Sequence, residues 1–179
     1  MRYFFTLLLI FSSSCSSSKQ IVSKKADGPA IDLVESTSII RELMRKNQLY
    51  KILEDHSQDE LDILINNFSP ATIAFEVEVL STTTPLGVVC YASNSDQTQK
   101  KFISQFNEAA LQYTTQAKFI MIDADRLYSL AQDAEIENFP TIILVKNREI
   151  VDRIEGYEAF TYLHEKIKQH CSKQNFINQ

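Results

Sequence analysis

Few residues in this chain have the type and spacing that chemistry needs. Cysteine occurs at positions 15, 90 and 171, and no two are separated by two residues. A Cys-x-x-Cys dithiol, in which one thiolate attacks a disulfide and the second resolves it, is therefore absent. Cys90 lies inside the apolar run 86–92 (LGVVCYA). It reads as a small buried hydrophobe or as a single redox thiol, and apolar surroundings that raise a thiol's pKa weigh against the second. Cys171 follows His170 near the C-terminal end. A Cys90–Cys171 disulfide and intermolecular pairing through Cys171 are the two bridging options in an oxidising compartment. His164 and His170 are six residues apart and do not share a helical face, so no zinc-type ligand set forms and no metal is expected. Asp123, Asp125 and Asp133 read as strand-end and surface charges, and no nucleophile–base pair stands out.

Composition narrows the classes further. The chain has 179 residues, 44% hydrophobic, which suffices for one compact core without disulfide support. Net charge is −5, and no basic stripe with interleaved aromatics occurs, so nucleic acid is not an expected partner. Only three glycines are present, which excludes a Gly-rich loop that cradles phosphates. No cofactor is expected.

The elements that would position a site follow from periodicity. Residues 31–54 place apolar side chains largely at helical spacing, with a break near Asn47. Ser57 followed by Glu60 is a capping box, and Leu61, Leu64, Ile65 and Phe68 then fall at i, i+3, i+4 and i+7. The spacing predicts a helix over 58–67, with a short strand at 63–65 as the competing reading. Ser69-Pro70 opens another helix, to about Leu80, which Thr82–Pro85 breaks. Residues 86–92 and 118–123 have the continuous apolar character of strands buried on both faces. A helical pattern over 96–116 separates them. A short helix over 126–133 follows, then strands 141–145 and 150–154 joined by a turn at 146–149. Gly156 precedes a last amphipathic helix carrying Phe160, Leu163 and Ile167. A βαβ unit, a hairpin and a closing helix imply an α/β fold with a mixed sheet covered on both faces. The helices of 31–68 form an N-terminal extension that docks on this domain or offers an apolar groove to a partner.

The first residues read as a targeting segment. Arg2 is followed by the short apolar run 3–11, then Ser12-Ser13-Ser14-Cys15. The run is shorter than the roughly 20 residues a spanning helix needs. The pattern resembles a bacterial lipoprotein signal, in which the Cys is lipidated and becomes the new N-terminus, although Ser12 stands where Leu is commonest. Ordinary signal cleavage and an uncleaved anchor are the alternatives. Residues 15–30 then form a polar tether, and 173–179 a tail.

From 69 to 172 the chain resembles the thioredoxin family. Residues 75–92 (FEVEVLSTTTPLGVVCYA) are similar to its first helix and central strand, and Asp123-Ala124-Asp125 to the acidic end of the next strand. Phe139-Pro140-Thr141 is similar to the family's Ile-Pro-Thr, whose Pro is cis. Residues 146–149 match its hairpin turn, and Gly156 the Gly before its last helix. The resemblance implies a thioredoxin-like mixed sheet flanked by helices. It also puts Ser95 and Thr98 at the two dithiol positions and Val89 where the family has a buried acid. Disulfide exchange is therefore not expected. What the resemblance leaves is a peptide cleft, where backbone beside the cis-Pro pairs with an extended segment. Here that cleft would be Asn94, Ser95, Asp96 and Gln97 facing Asn138, Phe139 and Pro140. The expected role is a protein- or peptide-binding or scaffolding module of the bacterial envelope, with the membrane as second partner through the lipid. An atypical single-thiol oxidoreductase using Cys90 or Cys171, and a purely structural lipoprotein, are the other readings.

The lipid is directly testable. In a bacterial host, metabolic palmitate labelling should mark the membrane-associated chain, and Cys15→Ala should abolish both label and membrane association. Unlabelled, soluble wild-type chain would contradict the signal reading.

Overall fold

A computed structural model of the chain describes residues 30–53, 57–80 and 86–172. The signal segment, Cys15, most of the tether, the break at Thr82–Pro85 and the tail lie outside the described residues.

Five strands make one sheet in the order β1-β3-β2-β4-β5: β1 (Ile31–Asp32), β2 (Gly87–Ala92), β3 (Lys118–Asp123), β4 (Thr141–Lys146) and β5 (Glu149–Glu155). β1 and β2 run parallel to β3, and β4 runs antiparallel to β2 and β5. Every residue of β2 and β3 is buried, as their unbroken apolar runs require. Along β2 the side chains alternate between two cores. Val89 and Tyr91 join a cluster with Leu33, Ile40, Leu64 and Ile73, whereas Val88, Cys90 and Ala92 join one with Phe102, Phe106, Leu163 and Ile167.

The helices are α1 (Leu33–Arg45), α2 (Gln58–Asn67), α3 (Pro70–Phe75), α4 (Lys100–Gln112), α5 (Tyr128–Asp133) and α6 (Ala159–Ser172). α2 carries the capping box: Ser57 accepts from the Glu60 N–H, and the Glu60 carboxylate accepts from the Ser57 N–H. Ser69 caps α3, with Pro70 in its first turn, and the helix runs on as a π-helical segment over Glu76–Leu80. α1 ends near Asn47, as its sequence suggests. Asn47 takes φ 52°, while the N–H groups of Asn47 and Gln48 return to the Met44 and Leu43 carbonyls. That is a Schellman stop, with Asn in place of the usual Gly.

The structure corrects the start of this region. Ile31 does not begin the helix. Ile31–Asp32 instead forms β1, pairing Ile31 with Ile120 and Asp32 with Met121. Asp32 then caps α1, its carboxylate accepting from the Val34 N–H at 2.9 Å. The competing strand at 63–65 does not form, because that stretch is helical within α2. The segment 31–53 is thus built into the sheet and its first core.

Two buried acids show how tightly α3 is enclosed. Glu76 and Glu78 are both fully buried. Glu78 meets Lys118 of β3 at 2.6 Å and accepts a longer bond, 3.4 Å, from Ser36 of α1. Glu76 meets Arg148 in the β4–β5 turn. Burial pushes the Glu76 carboxyl up to about 7, with Arg148 pulling the other way. Asn147 and Arg148 both have positive φ, 51° and 69°, the form a two-residue hairpin turn adopts.

The Glu78–Lys118 pair sets a testable stability. Removing one partner of a buried pair leaves an uncompensated charge, at a cost of about 3–5 kcal/mol. Lys118→Met should therefore lower unfolding free energy by that order in a denaturant titration. Glu78→Leu combined with Lys118→Met should recover most of the loss. A Lys118→Met chain as stable as wild type would contradict the assignment.

Candidate functional site

The strand register brings four loops to one end of the sheet. Tyr91 of β2 pairs with Thr141 of β4, Ala92 pairs with Asp123 of β3, and Thr141 pairs with Glu155 of β5. Residues 93–99, 124–127, 134–140 and 156–158 leave the sheet from these positions. The residues read from sequence as one cleft, Asn94 to Gln97 and Asn138 to Pro140, follow β2 and precede β4 at this same end of the sheet. The Phe139–Pro140 peptide is cis, matching the family's motif.

The loop after β2 is bonded into a network of hydroxyls and carboxylates. The Asp125 Oδ2 accepts from the Ser93 hydroxyl at 2.7 Å, the Ser95 hydroxyl at 2.8 Å and the Ser95 N–H at 3.1 Å. These donors, Ser93 first, hold the Asp125 carboxyl below the usual carboxylate range. The Asn94 amide donates to Asp123 Oδ2 at 2.9 Å, and the Ser93 oxygen accepts from the Asp96 N–H at 3.1 Å. Asp96 caps the short helical turn Gln97–Gln99, accepting from the Thr98 N–H and hydroxyl at 2.8 and 2.7 Å. Its carboxyl is likewise lowered, chiefly by the Thr98 hydroxyl. Gln99 closes the loop from below, accepting from the Ser93 N–H at 2.9 Å.

These bonds fix the shape of the loop and hold its carboxylates ionised. A general base must have a pKa near the working pH, whereas Asp125 is held ionised by three donors and is a weak base. Ser95 and Thr98 each carry one proton. Ser95 gives its proton to Asp125, and Thr98 has Asp96 as acceptor.

Thr98 also meets Tyr157, oxygen to oxygen at 2.7 Å. The Tyr157 ring stands edge-on to Phe102, centroids 6.3 Å apart, and remains 52% exposed. An oriented aromatic ring thus stands beside the loop that follows β2. In the loop before β4, Asn138 donates to Glu155 at 3.2 Å, its carbonyl accepts from the Thr141 hydroxyl, and the Pro140 carbonyl accepts from the Gly156 N–H at 2.8 Å. Phe139 is half-buried, its side chain packed on the core cluster that contains Tyr91. Among the described residues, no hydrogen bond engages the Phe139 N–H or carbonyl.

The thiols lie elsewhere. Cys90 is completely buried in β2, and burial pushes its thiol well up. Cys171, in α6, is half-buried and donates weakly to the Gln116 carbonyl at 3.6 Å, and burial raises its pKa as well. The two are free cysteines. His164 shares a 2.8 Å hydrogen bond with the Tyr113 hydroxyl, and His170 faces Asp152 at 3.4 Å. Among the described residues no cluster of three or more His, Cys, Asp or Glu could hold a metal, and no helix is long and apolar enough to cross a membrane.

Sequence reasoning missed the centre of this site. Asp125 reads as a surface charge, yet it anchors the loop. Ser93, Gln99 and Tyr157 carry no motif of their own. The signal that could have found Asp125 is its place two residues past β3, level with the loop that follows the adjacent parallel strand.

The mixed five-stranded sheet, with helices on both faces and a cis-Pro loop beside the central strand, defines a thioredoxin fold. The thioredoxin family profile matches residues 68–169, more than half of the chain. The chain belongs to the thioredoxin family. Thioredoxin H5 of Arabidopsis thaliana is 35% identical over 65 residues, 36% of this chain and 53% of that protein. Thioredoxin H4 of the same plant is 35% identical over 51 residues, 28% of this chain and 43% of that protein. The chain thus spans about half the length of these curated relatives. Among solved structures, thioredoxin NaTrxh of Nicotiana alata aligns at 25% identity and TM-score 0.47, covering 65% of this chain and 89% of that one. The Malassezia sympodialis thioredoxin Mala s 13 aligns at 20% identity and TM-score 0.49, covering 55% and 84%.

Proposed function

We propose that this chain is a redox-inactive member of the thioredoxin family that binds extended polypeptide, tethered at a bacterial envelope through lipid on Cys15. The observation that carries the binding reading is the pair of unengaged backbone groups on Phe139, beside a cleft whose other wall is held rigid by Asp125. Exposed, unpaired N–H and C=O groups are the template on which an added strand pairs. A loop already bonded into place loses little entropy when a ligand arrives. The tether reading rests on the lipoprotein-like sequence ending at Cys15.

Loss of disulfide exchange is part of the same reading. Ser95 and Thr98 occupy the positions that the family resemblance gives to the dithiol, and a hydroxyl cannot form a disulfide. Nothing at the site favours a single-thiol mechanism, since Cys90 is sealed in β2 with its thiolate disfavoured.

The backbone mode has a specific test. A short peptide alternating valine and threonine should bind the full chain saturably by fluorescence anisotropy. The same peptide N-methylated at its central residues should bind roughly tenfold more weakly, since two net hydrogen bonds are lost. Equal binding of the two peptides would rule out strand addition.

A further inference from the structure

The loops around the proposed cleft carry mostly negative charge. Its four loops, with the strand-terminal Glu155, bear six exposed or half-exposed acids: Asp96, Asp125, Glu135, Glu137, Glu155 and Glu158. The same segments carry one base, Arg126, and Lys100 and Lys101 begin α4 beyond the loop. Arg153 of β5 adds a second cation at the rim, its guanidinium donating to the Ala134 and Glu135 carbonyls at 2.6 and 2.9 Å, so acids outnumber bases there six to two. Asp96 and Asp125 are held ionised by the donors that fix the loop. The rim surrounds two apolar surfaces, the half-buried Phe139 and the exposed ring of Tyr157.

From this placement we infer that the cleft selects a cationic partner: an extended protein segment in which lysine or arginine alternates with apolar residues. The inference rests on the peptide-binding reading above and adds the chemistry of the ligand. A strand paired to Phe139 presents successive side chains to opposite faces. One set turns toward Phe139 and Tyr157. The other lies over the acidic rim, where opposite charge attracts and like charge is rejected. The acids are exposed, so the attraction is screened over about 8–10 Å at ordinary salt, and it acts on partner choice and encounter more than on total affinity.

The test uses the full chain and three labelled peptides, alternating valine with lysine, threonine or glutamate, read by fluorescence anisotropy. The lysine peptide should bind tightest and weaken as salt rises, with the glutamate peptide weakest. Glu137→Lys combined with Glu158→Lys changes two exposed side chains outside the loop network. It should weaken the lysine peptide roughly tenfold at low salt while leaving the melting temperature and threonine-peptide binding unchanged. Equal binding of all three peptides would overturn the charge inference and leave the peptide-binding reading standing. Binding of none would overturn both. Preference for lysine that survives the double charge reversal would show that the selection arises away from this rim.

Discussion

β2 is buried on both faces and bonded at both edges, and much of the molecule's organisation follows from that constraint. Its six side chains are shared between two cores, so a helical layer is needed on each face. α1 and α3 contribute to one, and α4 and α6 to the other. Its register with β3 and β4 brings the loops of the candidate site together at one end. The same enclosure decides the fate of Cys90: a thiol in mid-strand is chemically present and sterically sealed.

The charges inside the first core follow from the same enclosure. α3 and its π-helical continuation are sandwiched so closely that Glu76 and Glu78 have no route to water. Each therefore meets a cation from another part of the chain, Lys118 from β3 and Arg148 from the hairpin turn. Such pairs add little net stability, but they penalise any arrangement that separates the partners. Ser36 brings α1 into the Glu78 cluster, so the segment before the family-matched region is tied to it by a polar contact as well as by β1.

What was legible in the sequence had a period. The runs at 86–92 and 118–123 gave their strands almost to the residue, and Ser57 with Glu60 gave the start of α2. β1 has two residues and no period, and its pairing is with a strand nearly ninety positions away. The helix from Ser69-Pro70 to about Leu80 forms, but the burial of Glu76 and Glu78 was not legible, because in a helix buried all round the alternation of Val and Glu marks no solvent face. At the site, the resemblance to thioredoxins located the loops and the Phe139–Pro140 peptide. It did not reveal that Asp125 bonds Ser93 and Ser95, because the network depends on side chains that meet only once β2 and β3 are side by side.

The candidate site sits at one end of a thioredoxin fold, and the loop after β2 is bonded internally. Hydroxyls and carboxylates satisfy one another where a reactive dithiol would need a thiolate poised for attack. We propose that this loop is a rigid wall with no redox function. Disulfide reductase and isomerase turnover on a model substrate tests it most directly, comparing the full chain with its Cys90→Ser/Cys171→Ser variant. A redox-inactive loop gives no turnover above the variant. Cysteine-dependent turnover would contradict it, and would make one of the two remaining thiols the centre of the chemistry.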